Sequence, residues 1–389
     1  MKKIAIVTKN MDFGGVEKCL ISMLNNIPES KYDITVILMN KSGKLLNQVP
    51  KWVKVIEMPN ISKTTKEKLM DLIKQYRFIS AIKLLYNLIL SLNAKSIYAS
   101  YIRYANILPK LNTEYDLAIS YYNPTSFPVI YTIKNLKAKK KIMWIHSDIN
   151  TYQDINNYKN IYEKYNKIFN VSNEGAKEFV KKFPDLKDKV DVFYNLIDQN
   201  GLQSLGKQDL SFNNYDSKYI NILTVGRLSE EKGQDLIPGV LKKLIDNGKN
   251  VKWYLIGEGK LRTLIEKDIK RYKLEDKLIL LGSKENPYPY IKNCDIYVQP
   301  SRNECYCTTV TEAKCFNIPM VITDVNGSRE QINHNDNGLI VNINEEDIFK
   351  GIKILIENEY LRNKFIDNLK SKPINTLNEI NKLYHLIDE

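Results

Sequence analysis

Short apolar runs alternate along the chain with stretches in which apolar residues recur at helical spacing. A short apolar run bounded by polar residues indicates a buried strand. Strands that alternate with helices are typical of parallel sheets, so the pattern predicts an α/β protein with two parallel-sheet domains facing one another. Strands are predicted at 3–7, 33–39, 53–58, 116–120, 141–145, 167–171 and 190–194 in the first half, and at 220–225, 252–256, 278–281, 295–298, 319–323 and 338–341 in the second.

The alternation stops once, at residues 196–218, which are polar and show little periodicity. Such a segment indicates a linker between domains. We therefore predict a first domain at 1–195 and a second at 219–374, a division that suits a chain of 389 residues. Residues 375–389 have apolar positions at helical spacing and predict a C-terminal helix that packs back on the first domain.

Residues 63–95 predict a long helical region that is dense in apolar residues and also basic. Two interpretations stay open. The region contacts an anionic membrane surface, or it forms a pair of core-packing helices with lysines in water. Its basic residues include Lys66, Lys68, Lys74, Arg77 and Lys83.

No membrane span and no signal peptide are predicted. The longest uncharged stretch, 117–133, is interrupted by asparagine, serine and proline, so it is too broken for a continuous apolar helix of ~20 residues. The apolar run at 4–7 is too short for a signal-peptide core. We expect a cytoplasmic protein, and a peripheral position on the inner face of the membrane stays open.

The net charge of +13 lies entirely in the first half. Residues 1–200 hold 31 Lys and Arg and 18 Asp and Glu, whereas the remaining residues hold 27 of each. This asymmetry predicts an anionic partner for the first domain, although a lysine-rich composition can also reflect the whole proteome. Nucleic acid is not the expected partner, because the basic residues lack the interleaved aromatic and glycine motifs of known RNA- or DNA-binding modules.

Five cysteines are present, and without an export signal they are expected to be reduced thiols. Cys305, Cys307 and Cys315 are close in sequence, but they form no C-x2-C pair and no histidine lies nearby. Small side chains packed around a loop and a helix are therefore favoured over a metal site. We predict no bound metal.

Two carboxylates, Glu304 and Glu312, follow the predicted strand 295–298. In an open α/β sheet, ligands bind at the carboxyl ends of the strands. Two acids at that edge can hold two hydroxyl groups of one polyhydroxylated ligand. The alternative is a helix with a favourable acid near its N-terminus and a solvated glutamate further on.

Two cations, Arg227 and Lys232, occupy the loop 226–233 after the first strand of the second domain. A guanidinium and an ammonium at a strand end suit a diphosphate whose charge must be held while a bond to it breaks. An ordinary basic turn is the alternative interpretation.

In the first domain, Gly14 and Gly15 follow the first strand and open a helix, where backbone N–H groups can reach an anion. His146 follows the strand 141–145 at its carboxyl end. Its imidazole can position or deprotonate a hydroxyl group, and a structural histidine is equally compatible with the spacing.

Two nucleotide-binding fingerprints are absent. Gly257-Glu258-Gly259 begins a G-x-G-x-x-G motif, but Arg262 stands where its third glycine belongs. No G-x-x-x-x-G-K-S/T motif occurs. A nicotinamide dehydrogenase and a P-loop enzyme are therefore disfavoured.

Taken together, these motifs resemble glycosyltransferase family 4, the retaining nucleotide-sugar transferases whose fold, called GT-B, has two Rossmann-like domains across a cleft. The resemblance covers around 150 residues of the second half well and is looser in the first half. It rests on Gly226-Arg227, Lys232-Gly233, Leu255-Ile256-Gly257-Glu258-Gly259, Asn286-Pro287-Tyr288-Pro289-Tyr290, Asp295, Glu304, Glu312-Ala313, Ile318-Pro319, Gly327 and Glu330, and in the first half on Phe13-Gly14-Gly15, Trp144-Ile145-His146 and Tyr194-Asn195.

The resemblance implies a metal-independent hexosyltransferase without a cofactor, of the bacterial capsule or lipopolysaccharide type. It implies that a sugar passes from a nucleotide-sugar, with a UDP-sugar expected, to an anionic lipid-linked or other glycan acceptor held by the first domain. It assigns the donor ribose to Glu312 and the donor sugar to Glu304. It assigns the diphosphate to Gly226, Arg227, Lys232, backbone N–H groups near Thr308 and Thr309, and Gly14 with Gly15. It assigns the nucleobase to Gly282, Ser283 and Lys284. It places His146 near the reacting sugar and the acceptor.

Two departures from the family pattern affect the loop and helix around these acids. Cys305 stands where the family usually has glycine after its first glutamate, and Cys315-Phe316-Asn317 replaces a later glycine. A β-carbon at a tight turn puts the local backbone geometry in question. A sugar-nucleotide epimerase or hydrolase on the same two-domain scaffold is the alternative function.

Overall fold

The computed structural model describes residues 1–74, 76–92, 96–207 and 215–388. The chain forms two compact units, Met1–Leu196 with Asn378–Glu389 as unit 1 and Ile197–Leu377 as unit 2. The predicted fold class, α/β with two parallel-sheet domains, is confirmed. None of the helices in the described ranges combines the length and the apolar composition that a membrane span needs.

Unit 1 contains a seven-stranded parallel sheet in the order β3-β2-β1-β4-β5-β6-β7. Its central strands are buried apolar runs, as their sequence predicts. The strands are β1 Lys2–Thr8, β2 Tyr32–Leu38, β3 Lys54–Glu57, β4 Glu114–Tyr121, β5 Lys137–Ile145, β6 Lys167–Asn170 and β7 Val190–Val192. The helices are α1 Gly15–Asn25, α2 Thr65–Lys74, α3 Phe78–Leu92, α4 Ile97–Ile107, α5 Phe127–Asn135, α6 Lys159–Tyr162 and α7 Asn173–Lys182.

The helical region predicted at 63–95 is divided into α2 and α3. Tyr76 between them has a left-handed backbone with φ 54°. The N–H groups of Tyr76 and Arg77 donate to the carbonyls of Ile73 and Leu72, which closes the end of α2. Residues 75 and 93–95 of the predicted region lie outside the described residues.

Unit 2 contains a six-stranded parallel sheet in the order β10-β9-β8-β11-β12-β13. The strands are β8 Ile220–Val225, β9 Val251–Ile256, β10 Leu278–Gly282, β11 Ile296–Gln299, β12 Met320–Thr323 and β13 Leu339–Val341. The helices are α8 Gln199–Leu205, α9 Ile237–Asp246, α10 Arg262–Tyr272, α11 Tyr288–Asn293, α12 Thr308–Cys315, α13 Ser328–Gln331, α14 Glu345–Glu357 and α15 Glu359–Ser371.

Successive residues of the unit 2 strands enter two different cores, because side chains alternate across a sheet. Ile222, Trp253 and Ile296 pack with α9, α10 and α14 on one face. Leu223 and Tyr297 pack with α11 and α12 on the other. The segment predicted as a linker, 196–218, carries α8 and belongs to unit 2 from Ile197 onward, and residues 208–214 of it lie outside the described ranges.

The last helix, α16 Ile380–Asp388, belongs to unit 1. It buries Ile380, Leu383 and Ile387. The ring of Tyr384 stacks on Tyr32 with centroids 5.7 Å apart. α16 is thus a packing element of unit 1 although it comes last in the chain.

Candidate functional site

In unit 2, the loops that follow β8 and β11 meet at one edge of the sheet. β8 and β11 are parallel neighbours, so their carboxyl ends lie side by side. The backbone N–H groups of Arg302 and Asn303 both donate to the carbonyl of Glu231, at 2.8 and 3.2 Å. The loop carrying Arg227 and Lys232 is therefore bonded directly to the loop carrying Glu304.

The two loops approach each other so closely that one position requires glycine. Gly233 has φ +70°, and a β-carbon there would overlap the carbonyl oxygen of Pro300. Beside it, Arg302 donates two hydrogen bonds of 2.7 Å to the two carboxylate oxygens of Asp235. This pair was not predicted, because nothing in the sequence connects residues so far apart.

The charged groups of Lys232 and Glu304 form an ion pair. Nζ of Lys232 donates to both carboxylate oxygens of Glu304, at 2.7 and 2.9 Å. The two side chains are only 24% and 10% exposed. Burial acts to lower the pKa of Lys232, but the charge of Glu304 outweighs it, and the pKa lies above the ordinary lysine value. Lys232 is therefore a permanent cation.

A series of hydrogen-bonded polar side chains also holds the carboxylate of Glu304. Ser301 Oγ donates to Glu304 Oε1 at 2.7 Å, and Gln299 Nε2 donates to Ser301 Oγ at 2.9 Å. Gln299 Oε1 in turn accepts from the hydroxyls of Tyr297 and Thr309, at 2.8 and 3.2 Å. These bonds fix the direction of the carboxylate, as a binding group requires.

Glu312 lies deeper than Glu304, on helix α12. It is 4% exposed, and its Oε1 accepts a hydrogen bond of 3.3 Å from the hydroxyl of Tyr288. Thr308 and Thr309 form the first residues of α12, so their N–H groups lie at the positive end of the helix. The alternative of a solvated Glu312 is wrong.

Arg227 is the exposed cation of the site. Its side chain is 64% exposed, and its nearest acid is Glu231, with Nη1 and Oε1 3.9 Å apart. An exposed guanidinium at a strand end is available to a ligand without a rearrangement of the core.

The loops after β9 and β10 join the same edge of the sheet. Gly257 N donates to the carbonyl of Gly282 at 3.0 Å, and a β-carbon on Gly257 would overlap the carbonyl oxygen of Gly226. Gly282 ends β10, and Ser283 and Lys284 follow it. The predicted base-binding residues therefore lie at the same sheet edge as the two cations.

The backbone accommodates the residues at both positions where the sequence departs from the family pattern. Cys305 has no positive φ, so a side chain is accommodated there. Asn317, just past the end of α12, has φ 58°, a left-handed conformation that asparagine tolerates better than most residues.

Burial raises the pKa of the Cys307 and Cys315 thiols to about 12. Among the described residues no cluster of three or more potential ligands could hold a metal ion.

In unit 1, the predicted residues lie at the carboxyl ends of β1 and β5. Gly15 begins α1, and Gly14 before it is extended, with φ −157°. A β-carbon on Gly14 would overlap the carboxylate of Glu17, which folds back over the start of the helix. Sequence reasoning missed Glu17, although an acid in a first helical turn is a recognisable signal.

His146 is held as a neutral ring. Its ring centroid is 4.4 Å from that of Tyr121, and its Nε2 is buried with no hydrogen-bond partner among the described residues. Burial lowers the pKa of His146 from 6.5 to about 3. A neutral imidazole can accept a hydrogen bond from a hydroxyl group, but it is not a cation at any ordinary pH.

This pKa predicts a pH dependence. The folded-state pKa of His146 lies below the unfolded value, so the stability it gives is full above about pH 6.5 and is lost as the pH falls toward 3. Between pH 7 and 5, the free energy of unfolding should fall by about 2 kcal/mol more for the natural protein than for His146→Gln. Urea unfolding of both proteins at the two pH values measures this. Equal pH dependences would contradict the buried neutral ring.

The comparisons with known proteins agree with this architecture. Residues 206–372 match the family of glycosyl transferases group 1. Over 375 residues, 96% of this chain and 95% of the relative, the chain is 24% identical to the Campylobacter jejuni N-acetylgalactosamine-N,N'-diacetylbacillosaminyl-diphospho-undecaprenol 4-alpha-N-acetylgalactosaminyltransferase. It is 21% identical to the Escherichia coli UDP-Gal:alpha-D-GlcNAc-diphosphoundecaprenol alpha-1,3-galactosyltransferase, covering 99% of this chain and 96% of that one.

Among solved structures, Anabaena Alr3699/HepE in complex with UDP and glucose superposes with a TM-score of 0.72 at 17% identity, covering all of both chains. At this identity the likeness concerns the fold.

Proposed function

Because the chain is a glycosyltransferase with the GT-B fold, we propose that it moves a sugar from a UDP-sugar to a lipid-linked or other cell-surface glycan acceptor, with retention of the anomeric configuration. The observation that carries the proposal is the joined edge of unit 2, where Arg227, Lys232 and Glu304 lie on two bonded loops with Glu312 below them. This edge offers cations for a diphosphate and carboxylates for hydroxyl groups.

In the proposed reaction, the bond from the anomeric carbon to the diphosphate oxygen breaks and a bond to the acceptor oxygen forms. The acceptor proton passes to the leaving diphosphate. Arg227, Lys232 and the N–H groups at the start of α12 stabilise the charge that develops on the leaving group. No metal or other cofactor takes part in this scheme, because the two cations supply the positive charge.

The carboxylates orient the donor. We assign the ribose hydroxyls to Glu312 and the sugar hydroxyls to Glu304, whose direction is set by Ser301. Lys232 offers a third N–H beyond the two that bond Glu304, and that donor is assigned to the diphosphate. Gly226 and the segment Gly282 to Lys284 complete the diphosphate and base contacts.

We propose that unit 1 binds the acceptor. His146 offers a neutral ring to a hydroxyl group of that acceptor. The N–H groups of Gly14 and Gly15 can reach an anion, and we keep their assignment to the donor diphosphate. The relatives named above act on diphospho-undecaprenol-linked sugars, and the positive charge of residues 1–200 suits such an anionic acceptor. We propose peripheral action at the inner face of the cell membrane, with α2 and α3 as the contact.

Ligand binding tests the donor. A thermal-shift series with UDP, GDP and ADP should give the largest stabilisation with UDP, because a ligand that binds only the folded state raises its stability. Equal shifts with all three diphosphates would contradict the UDP assignment.

Product analysis tests the reaction. UDP-sugars incubated with a diphospho-polyprenol-linked acceptor should yield an elongated acceptor whose new linkage keeps the donor's anomeric configuration by NMR. The same UDP-sugars without acceptor should stay unchanged. Conversion of the donor alone at a comparable rate would favour the epimerase or hydrolase.

A further inference from the structure

Unit 1 contains a basic cavity of about 680 Å³ that the proposed transfer reaction does not use. Among its described lining residues, the one carboxylate is Asp71, which Lys63 binds at 2.5 Å. Six further cations line it without a carboxylate partner among the described residues. They are Lys68, Arg77, Lys83, Lys110, Lys134 and Lys164.

The cavity lies at the opposite edge of the sheet from Gly15 and His146, the substrate-binding residues predicted for unit 1. Lys110 precedes β4, Lys134 precedes β5 and Lys164 precedes β6. The amino ends of parallel strands share one edge, whereas Gly15 and His146 follow the carboxyl ends. The cavity is thus a second cationic site within unit 1.

Two of the cavity's lysines, the buried Lys68 and the half-buried Lys134, have no carboxylate partner among the described residues. Lys68 is 7% exposed, and its Nζ donates to the Tyr104 hydroxyl at 3.4 Å and lies 5.0 Å from the Tyr104 ring centroid. Burial lowers the pKa of Lys68. Burial also lowers the pKa of Lys134, and so do the charges of Lys164 and Lys110. A cation that is partly or wholly removed from water without a counter-charge is costly, and a bound anion would reduce that cost.

Helix α3 connects this cavity to an apolar surface. One side of α3 lines the cavity with Ser80, Lys83 and Leu84. Its other side is exposed and apolar, with Ile79 at 73%, Ile82 at 67%, Tyr86 at 62% and Ile89 at 58%. A helix that borders a cationic cavity on one side and exposes apolar residues on the other has the character of an element that lies in a membrane interface.

We infer that this cavity binds the phosphate headgroup of an anionic membrane lipid while the exposed side of α3 enters the lipid layer. The charge favours this occupant, since six cations without acid partners face a single cavity beside an apolar surface. The inference rests on the proposed action at a membrane and is independent of the donor's identity. A soluble phosphate shares the headgroup chemistry but would leave the apolar side of α3 in water.

Vesicle flotation of the full chain tests this inference. The natural protein should float with vesicles of phosphatidylcholine and phosphatidylglycerol in equal parts and much less with phosphatidylcholine alone. Lys68→Met/Lys134→Gln should weaken flotation by about tenfold or more, since each cation near an anionic surface contributes about 1 kcal/mol. The control Lys177→Gln/Lys182→Gln removes two exposed lysines on α7 and should keep most of the binding.

Three outcomes would overturn the inference. Equal losses for the cavity variant and the control would indicate general surface charge. Unchanged flotation of Ile79→Ser/Ile82→Ser would exclude insertion of α3. Inorganic pyrophosphate that stabilises the natural protein and abolishes flotation at low concentration would assign the cavity to a soluble anion.

Folding and donor binding are followed separately. Lys68→Met should raise the melting temperature without lipid, because it removes a buried charge that has no carboxylate partner among the described residues, so the variant is not expected to unfold. The UDP-induced thermal shift should be unchanged in the cavity variants. If the protein floats with anionic vesicles but UDP does not shift its melting temperature, the cavity assignment stands and the donor proposal is overturned. If UDP shifts the melting temperature but the protein does not float, the donor proposal stands and the cavity assignment is overturned.

Discussion

Replacement of Lys232 by methionine should lower the rate of sugar transfer by about 100- to 1000-fold, the loss typical of one removed charge-stabilising donor in an active site. The ammonium is a permanent cation that Glu304 holds at 2.7 Å, at the strand end where the diphosphate is proposed to leave. The methionine side chain keeps much of the volume but offers no charge. Initial rates with saturating UDP-sugar and acceptor measure the effect on kcat.

The same substitution also leaves Glu304 without its counter-charge, so a fall in stability must be separated from a loss of function. Loss of one partner of a largely buried ion pair costs about 3–5 kcal/mol. The double variant Lys232→Met/Glu304→Gln should recover most of that stability and none of the activity. Lys243→Met, on the surface of α9, serves as the control for charge removal. A double variant with near-normal turnover would contradict the proposed site.

Arg227→Ala should lower transfer by about 100-fold while leaving the free energy of unfolding within about 0.5 kcal/mol of the natural protein. The guanidinium is 64% exposed and lies 3.9 Å from its nearest acid, so the fold has little to lose. Rates and urea unfolding measured on the same preparations give both quantities.

Arg271→Ala, an exposed residue of α10, is the matched control and should change neither quantity. If Arg227→Ala kept its rate, the diphosphate would have to be held without this cation. If it lost stability instead, Arg227 would be a structural residue.

The sequence predicted the fold well because the central strands of both sheets are buried on two faces and are therefore apolar runs in the sequence. The segment 196–218 was harder, since the seven residues of α8 are too short and too polar to show a helical period. The resemblance to glycosyltransferases is confirmed. Membership of family 4, retention and the absence of a metal stay predictions.

The site was predicted as separate residues rather than as an arrangement. Lys232 and Glu304 were assigned to different parts of the donor, and only the pairing of β8 with β11 reveals that their charged groups touch. The Arg302–Asp235 pair carries no local signal for the same reason. The cavity of unit 1 was invisible because its lysines come from five separate segments, which the sheet and its helices bring together.

The position of α16 has a consequence for the order of events during synthesis. Unit 1 requires residues 380–387 to cover the surface near Tyr32, yet every residue of unit 2 leaves the ribosome before them. Domains fold as units while the chain emerges. Folding of unit 1 can therefore begin first, but it is completed only after all of unit 2 has been made, and a chain that stops before residue 380 carries a whole unit 2 attached to an unfinished unit 1.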